Sequence, residues 1–267
     1  MPRLVLPSLG DWESTRASLH AYSRAVAALP RAHVPPHPKW WHVSLKVRRE
    51  GLITDQIGIP GGGSFRLRMD LSEHVVVMEG DAEAEFGMTK GLTGTELAEE
   101  LIRRAADLGF EGDYLAEKYE SDEPRGYEPE AAERFYAVLR GVDSLFKEHR
   151  ETLPGDRGPV QLWPHGFDLS FEWFGTRVET YEDIDYPSQL NLGYFPNDRA
   201  YFYSNPWPFE RELLLGKPLP SGAEWFTEGW EGTILYYDQL EGDPDAGQKL
   251  ADYARAVFDL ASPTLMA

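Results

Sequence analysis

The run Trp163-Pro164-His165-Gly166-Phe167-Asp168-Leu169-Ser170-Phe171-Glu172-Trp173 carries the alternation that sets the fold class. At period two, Phe167, Leu169, Phe171 and Trp173 fall on one face, and Asp168, Ser170 and Glu172 on the other. This is the pattern of a strand with one face in a core. On an unbroken pleat His165 belongs to the apolar face. Gly166 is a residue at which an extra, bulged position is tolerated, and a bulge there turns His165 round to join Asp168. The expectation is one strand, bulged at Gly166, with His165 and Asp168 on its polar side.

A second run, Trp40-Trp41-His42-Val43-Ser44-Leu45-Lys46-Val47, reads as another strand, with His42, Ser44 and Lys46 on one face and Val43, Leu45 and Val47 on the other. Val43, Leu45 and Val47 match Phe167, Leu169 and Phe171 at a constant offset. The two histidines match only if the later copy has one additional residue, which the Gly166 bulge supplies.

Away from these runs, helix and strand periods alternate along the chain. Asp11 is placed to cap a helix carrying Trp12, Thr15, Leu19, Tyr22, Val26 and Leu29 at helical spacing and ending at Pro30. The proline-rich Val34-Pro35-Pro36-His37-Pro38 leads stiffly into the Trp40 run. Residues 52–59, 65–70, 74–78 and 82–86 have strand character and are punctuated by Pro60-Gly61-Gly62-Gly63, Leu71-Ser72-Glu73 and Gly80-Asp81. The glycine triplet lacks the lysine and hydroxyl residue of a phosphate loop and precedes a strand, so it reads as a turn. Thr93 and Glu96 form a capping box for a helix bearing Leu97, Leu101 and Leu108, stopped by Gly109. Pro129 opens a helix with Phe135, Leu139, Val142 and Phe146 as its stripe. Strands follow at 189–195, 200–204 and 233–237, and Asp243-Pro244 starts a last helix with Leu250, Ala254, Val257 and Ala261 inward.

Helix, connector, tryptophan-histidine strand, further antiparallel strands and helix thus occur in the same order twice. The expected fold is α+β, with two pseudo-repeated helix / antiparallel-sheet / helix halves at 1–118 and 129–267 and an acidic linker at 119–128.

Composition limits function more than it names it. A chain of 267 residues is long enough to bury a sizeable core, and with no cysteine it does so without disulfides or thiolate-bound metal. Hydrophobic residues at 42% and aromatics at 13% argue for a packed globular protein rather than a disordered one. A formal net charge of -19 argues against nucleic acid or an anionic membrane as partner, because both need a basic surface. The amino terminus has no apolar core and cleavage site of a signal peptide, and no stretch nears the ~18 apolar residues of a membrane span, so a cytoplasmic location is expected.

Four motifs together resemble a bacterial family known as domain of unknown function 5996: the Leu-Pro-x-Leu-x-x-Trp-x-x-Thr-Arg-x-x-Leu-His run from Leu6 to His20, Trp40-Trp41-His42-Val43, the Trp-Pro-His-x-Phe-Asp-Leu signature from Trp163 to Leu169, and the Tyr-Phe-Tyr-x-x-Pro-Trp-Pro segment from Tyr201 to Pro208. The resemblance spans nearly the whole chain. The sequence departs from it at Gly166, where many members carry a second histidine. It implies no activity and no catalytic residues.

Three readings of function follow from the residues. The first is a small-molecule pocket between the halves, walled by Trp40, Trp41, Trp163, Tyr201, Tyr203 and Trp207, with His42, His165 and Asp168 as its polar contacts; sites of this kind combine apolar walls with a few convergent polar groups. The second is a hydrolase in which His165, His42 and Asp168, with Glu228, hold a divalent metal that activates water, or in which His165 and Asp168 do acid and base work without metal. No tight histidine pair at helical spacing occurs, so no metal ligand is assigned and no cofactor is named. The third is a non-catalytic module that binds a protein through exposed aromatics. Ser44 and Ser170 lack the context of a nucleophile elbow and read as strand serines. The aromatic and acidic run Trp225-Phe226-Thr227-Glu228-Gly229-Trp230-Glu231-Gly232 reads as a glycine-rich turn.

Overall fold

A computed structural model describes residues 4–123 and 126–267. Positions 1–3, in the amino-terminal stretch, and positions 124 and 125, in the acidic segment read as a linker, lie outside the described residues. Helices accompany two antiparallel sheets, so the fold is α+β. The chain divides into two compact units: Leu9–Arg140 with Gln161–Phe167, and 4–8 with Gly141–Val160 and Asp168–Ala267.

In the first unit the helical period from Trp12 becomes α1 (Glu13–His33). It runs through Pro30 rather than stopping there. A proline in the last turn forfeits only its own N–H bond, and the Val34 N–H still donates to the Pro30 carbonyl at 3.0 Å. The helix begins without a side-chain cap, so Asp11 does not play the expected role.

The first sheet follows from strands β1 (Lys46–Arg48), β2 (Gly51–Ile53), β3 (Ile57–Gly58), β4 (Ser64–Asp70), β5 (Val75–Gly80) and β6 (Ala84–Gly87), in the order β1-β2-β4-β5-β6 with β3 also on β4. Strict alternation in β4 buries Phe65, Leu67 and Met69 and turns Arg66 and Arg68 outward, where Glu79 of β5 accepts from them at 2.6 and 3.1 Å. Helix α2 (Gly94–Asp107) starts on the capping box read from the sequence: Thr93 Oγ1 accepts from the Glu96 N–H at 3.1 Å and the Glu96 carboxylate from the Thr93 N–H at 2.7 Å.

Helix α3 (Pro129–Thr152) opens on its proline, and its residues to Arg140 belong to the first unit and those from Gly141 to the second. After β7 (Asp156–Arg157) come β8 (Gln161–Trp163), which joins the first unit through a two-way bridge between Leu162 and Leu45 at 2.8 and 2.9 Å, and then β9 (Asp168–Tyr181), β10 (Ile184–Phe195), β11 (Tyr201–Ser204), β12 (Pro206–Trp207), α4 (Arg211–Leu214), β13 (Glu224–Phe226), β14 (Gly232–Tyr236) and α5 (Ala246–Ala261). The second unit's sheet has the order β13-β14-β11-β10-β9-β7, with β12 on β10. One face of it holds Leu169, Phe171, Leu192, Tyr194 and Phe202 in a core with the stripes of α3 and α5, namely Val142, Phe146, Leu250, Ala254 and Val257, all buried.

Both tryptophan-histidine runs depart from the strands expected of them. Trp41–Val43 is a single 3-10 turn entered from a left-handed Trp40 (φ 59°), closed where the Ser44 hydroxyl donates to the Trp41 carbonyl at 2.7 Å; only Lys46–Arg48 is strand. In the later run no bulge forms at Gly166. Residues 164–167 make a turn, held by the Phe167 N–H on the Trp163 carbonyl at 2.7 Å with Phe167 at φ 59°, and so separate β8 from β9. A strand continued through Pro164 would lack a ladder donor there, which favours the break. The proposed strand-on-strand match of the two runs is therefore not what the backbone does.

Candidate functional site

The sequence-predicted residues fall into two sets. Trp40, Trp41, His42, Trp163 and His165 belong to the first unit; Asp168, Tyr201, Tyr203, Trp207 and Glu228 belong to the second.

Within the first unit the histidines have separate surroundings. His42 is 4% exposed; its Nδ1 accepts from the His37 N–H at 3.2 Å and its ring stacks on Trp40 at 5.6 Å. Burial, then the nearby cations Arg31, His37 and Lys46, lower its pKa, so it is a neutral packing group at pH 7. His165 is exposed on its turn, edge-on to Trp163 at 5.9 Å, and its carbonyl faces His20 Nε2 at 3.1 Å. Trp41 stacks on His37 at 4.2 Å. Ser44, buried, bonds Gln161 Oε1 at 2.5 Å and lies 3.3 Å from Lys46 Nζ, but that ammonium is paired with Asp55 at 2.8 Å. With Lys46 engaged by Asp55, and the Ser44 hydroxyl by Gln161 and the Trp41 carbonyl, the pair is not arranged as an activated nucleophile. Among the described residues no group of three or more histidine, aspartate or glutamate side chains is placed to hold a metal ion.

The second unit does gather its residues. Opposite the core face, the register sets Ser170 beside Gly193, Gly193 beside Tyr203 and Tyr203 beside Ile234, and in the next row Phe195 beside Tyr201 and Tyr201 beside Tyr236. These side chains therefore share one face of β9, β10, β11 and β14. Tyr203 donates its hydroxyl to Asp168 Oδ2 at 2.5 Å and is also hydrogen-bonded to Ser170. Its ring lies flat over Gly193: a Cβ there would sit 2.2 Å from the ring, so only glycine admits the tilt that brings the hydroxyl to Asp168. Gly232 does the same for Trp230, whose ring a Cβ would meet at 2.8 Å. Trp230 in turn lies near Tyr201 (6.4 Å), Tyr203 (6.3 Å) and Phe226 (4.7 Å).

The product is a wall of half-buried rings around a carboxylate that is 9% exposed. Burial first and the Asp168 charge second raise the pKa of Tyr203 well above its ordinary value, so its hydroxyl is a permanent donor at neutral pH, not a base or nucleophile. Tyr201 is raised for the same two reasons in the same order. At the margin Arg199 stacks on Tyr236, 3.4 Å from its centroid, while pairing with Asp238 at 2.8 Å, so one ring of this face already holds a cation.

Trp207 and Glu228 are not part of this cluster by any contact. Trp207 is exposed and packs on Tyr186 at 6.3 Å, and Glu228 is exposed in the bend that delivers Trp230. The reading from sequence missed Phe195, Tyr236 and the two glycine seats. Trp230 was visible as part of an aromatic run, but which face it covers depends on β14 register, which no local pattern reveals.

No curated protein and no solved structure matches the chain. A family model does match, over residues 2–265, and its description is a family of unknown function, DUF5996. That match takes in the Trp40, Trp163 and Tyr201 motifs and almost the whole of both units, and the chain belongs to this family.

Proposed function

We propose that this protein binds a small organic cation on the aromatic face of its second sheet, with Asp168 as the counter-charge and Tyr201, Tyr203 and Trp230 as the rings that surround it. The observation carrying this reading is the buried Asp168–Tyr203 hydrogen bond at the floor of that wall. A hydrogen bond from a neutral hydroxyl leaves the carboxylate its negative charge, which attracts an ammonium group. Electron-rich ring faces attract the same charge, by ~0.5–2 kcal/mol per good contact. The chain's charge of -19 concentrates cations near its surface in any case. Hydrolysis is less well supported, since Tyr203 cannot ionise near neutral pH and His42 and His165 have partners of their own.

The test is calorimetric titration of the whole chain with choline and with its uncharged isostere 3,3-dimethylbutanol. Choline is expected to bind at least about 10-fold more tightly, and Asp168→Asn to abolish the difference, in line with the loss of the counter-charge. Gly193→Ala, which displaces the Tyr203 ring without touching a charge, is expected to weaken both probes. Equal binding of the two probes, or a preference for choline that survives Asp168→Asn, overturns the proposal.

A further inference from the structure

Strands β9 and β10 outrun the sheet. Beyond residues 175 and 188 they continue as a two-stranded ribbon, 176–187, in the register Val178↔Pro187, Glu179↔Tyr186, Thr180↔Asp185 and Tyr181↔Ile184. Glu182 and Asp183, both left-handed (φ 51° and 62°), make the two-residue turn at its tip. On one face Tyr181 (63% exposed), Ile184 (53%) and Tyr186 (41%) form an apolar row that Trp207 extends; on the other Val178 is 56% exposed. At the ribbon's base Arg177 is pinned by Glu210 at 2.5 Å, which brings in α4 and its exposed Leu213 and Leu215, and Thr176 holds the chain end beside the exposed Met266.

We infer that this ribbon is a dimerisation arm whose occupant is a second copy of the same chain, the two arms clasping each other about a twofold axis. Area is the first argument. Eight large side chains of roughly 200 Å² each, about half exposed, leave on the order of 800 Å² of apolar surface, which is what one partner contributes to a standard interface. Monomers rarely leave so many large apolar side chains open on and around one element. Apolar residues on both faces are suited to being enclosed rather than laid flat, as in an exchange of arms. Charge is the second argument. Glu182, Asp183 and Asp185 make the tip acidic, whereas at the base Lys217 is an exposed cation beside the leucines and Arg211 is paired with Glu231 at 2.5 Å. Arms lying antiparallel about a twofold place each tip against the other's base, where the acidic turn meets Lys217.

Sedimentation velocity and light scattering of the full chain, from about 1 to about 200 µM, test this directly. The expected species is a dimer of the 30.3 kDa chain. Two arm variants, Tyr181→Lys with Ile184→Lys, and separately Val178→Lys, are each expected to weaken dimerisation at least about 10-fold while leaving the circular dichroism spectrum unchanged. Leu115→Lys, at an exposed leucine of the first unit, is expected to leave it intact. A chain that stays monomeric throughout the range overturns the proposal, as does a dimer that tolerates both arm variants. The outcome is independent of whether Asp168 binds a cation.

Discussion

Asp168 and His165 are three residues apart in one motif, yet their surroundings differ completely. Asp168 begins β9 with its side chain against Tyr203, while His165 sits exposed on a turn. The polar face of the run was legible from the alternation of Asp168, Ser170 and Glu172. The turn that breaks it was not, because a left-handed Phe167 has no local signature. His149 shows how far burial alone changes a side chain. Its ring lies against Phe171 (6.3 Å) in the space lined by Trp173, Val257 and Phe258, and burial, with Arg255 adding to it, pushes its pKa down to about 4. The unfolded chain therefore binds a proton at this site that the folded chain does not, between pH about 6.5 and about 4. The corresponding stability is complete above that window and is lost as pH falls through it. His149→Leu is expected to remove this dependence: measured by urea unfolding, the variant should lose less stability than the parent between pH 7 and 4.5, by on the order of 2 kcal/mol.

Helices were read more accurately than strands. The capping box at Thr93 and Glu96, the proline start of α3 and the stripes of α1, α3 and α5 are all local patterns, and each is where the sequence put it. Thr93→Ala removes the acceptor for the Glu96 N–H and frees one arm of the box; thermal or urea unfolding is expected to show a loss of about 1 kcal/mol, and Thr93→Ser little change. Strand limits depend on partners instead. The Trp40 run folds as a 3-10 turn because the Ser44 hydroxyl and the His37–Trp41 stack offer local bonds that a short strand would forgo. The arm went unread for the opposite reason: Glu182-Asp183 lacks the glycine or asparagine that marks a two-residue hairpin turn, and Val178, Tyr181, Ile184 and Tyr186 are exposed on both faces, so no one-sided apolar period marks the strands.

With 45 acidic against 26 basic side chains, the protein as a whole repels itself. Raising NaCl from about 10 to about 150 mM shortens the screening length from ~30 to ~8 Å, so the melting temperature is expected to rise by a few degrees by differential scanning calorimetry; a fall would mean that ion pairs such as Arg66–Glu79 and Arg177–Glu210 outweigh the net repulsion. Among the described residues no helix is long and apolar enough to cross a membrane. Residue periodicity, capping and composition were sufficient for the α+β class, the principal helices and the β4 and β9 faces, and the four motifs for the resemblance to the family. They act between neighbours a few positions apart, so the sequence contains them outright. The setting of Tyr203 over Gly193, the pairing of Tyr201 with Tyr236, the split of the candidate residues between two units and the reach of the arm all arise from strand register between segments tens of residues apart. Register is fixed by which side chains fit once the strands meet, and that fit exists only in the folded chain.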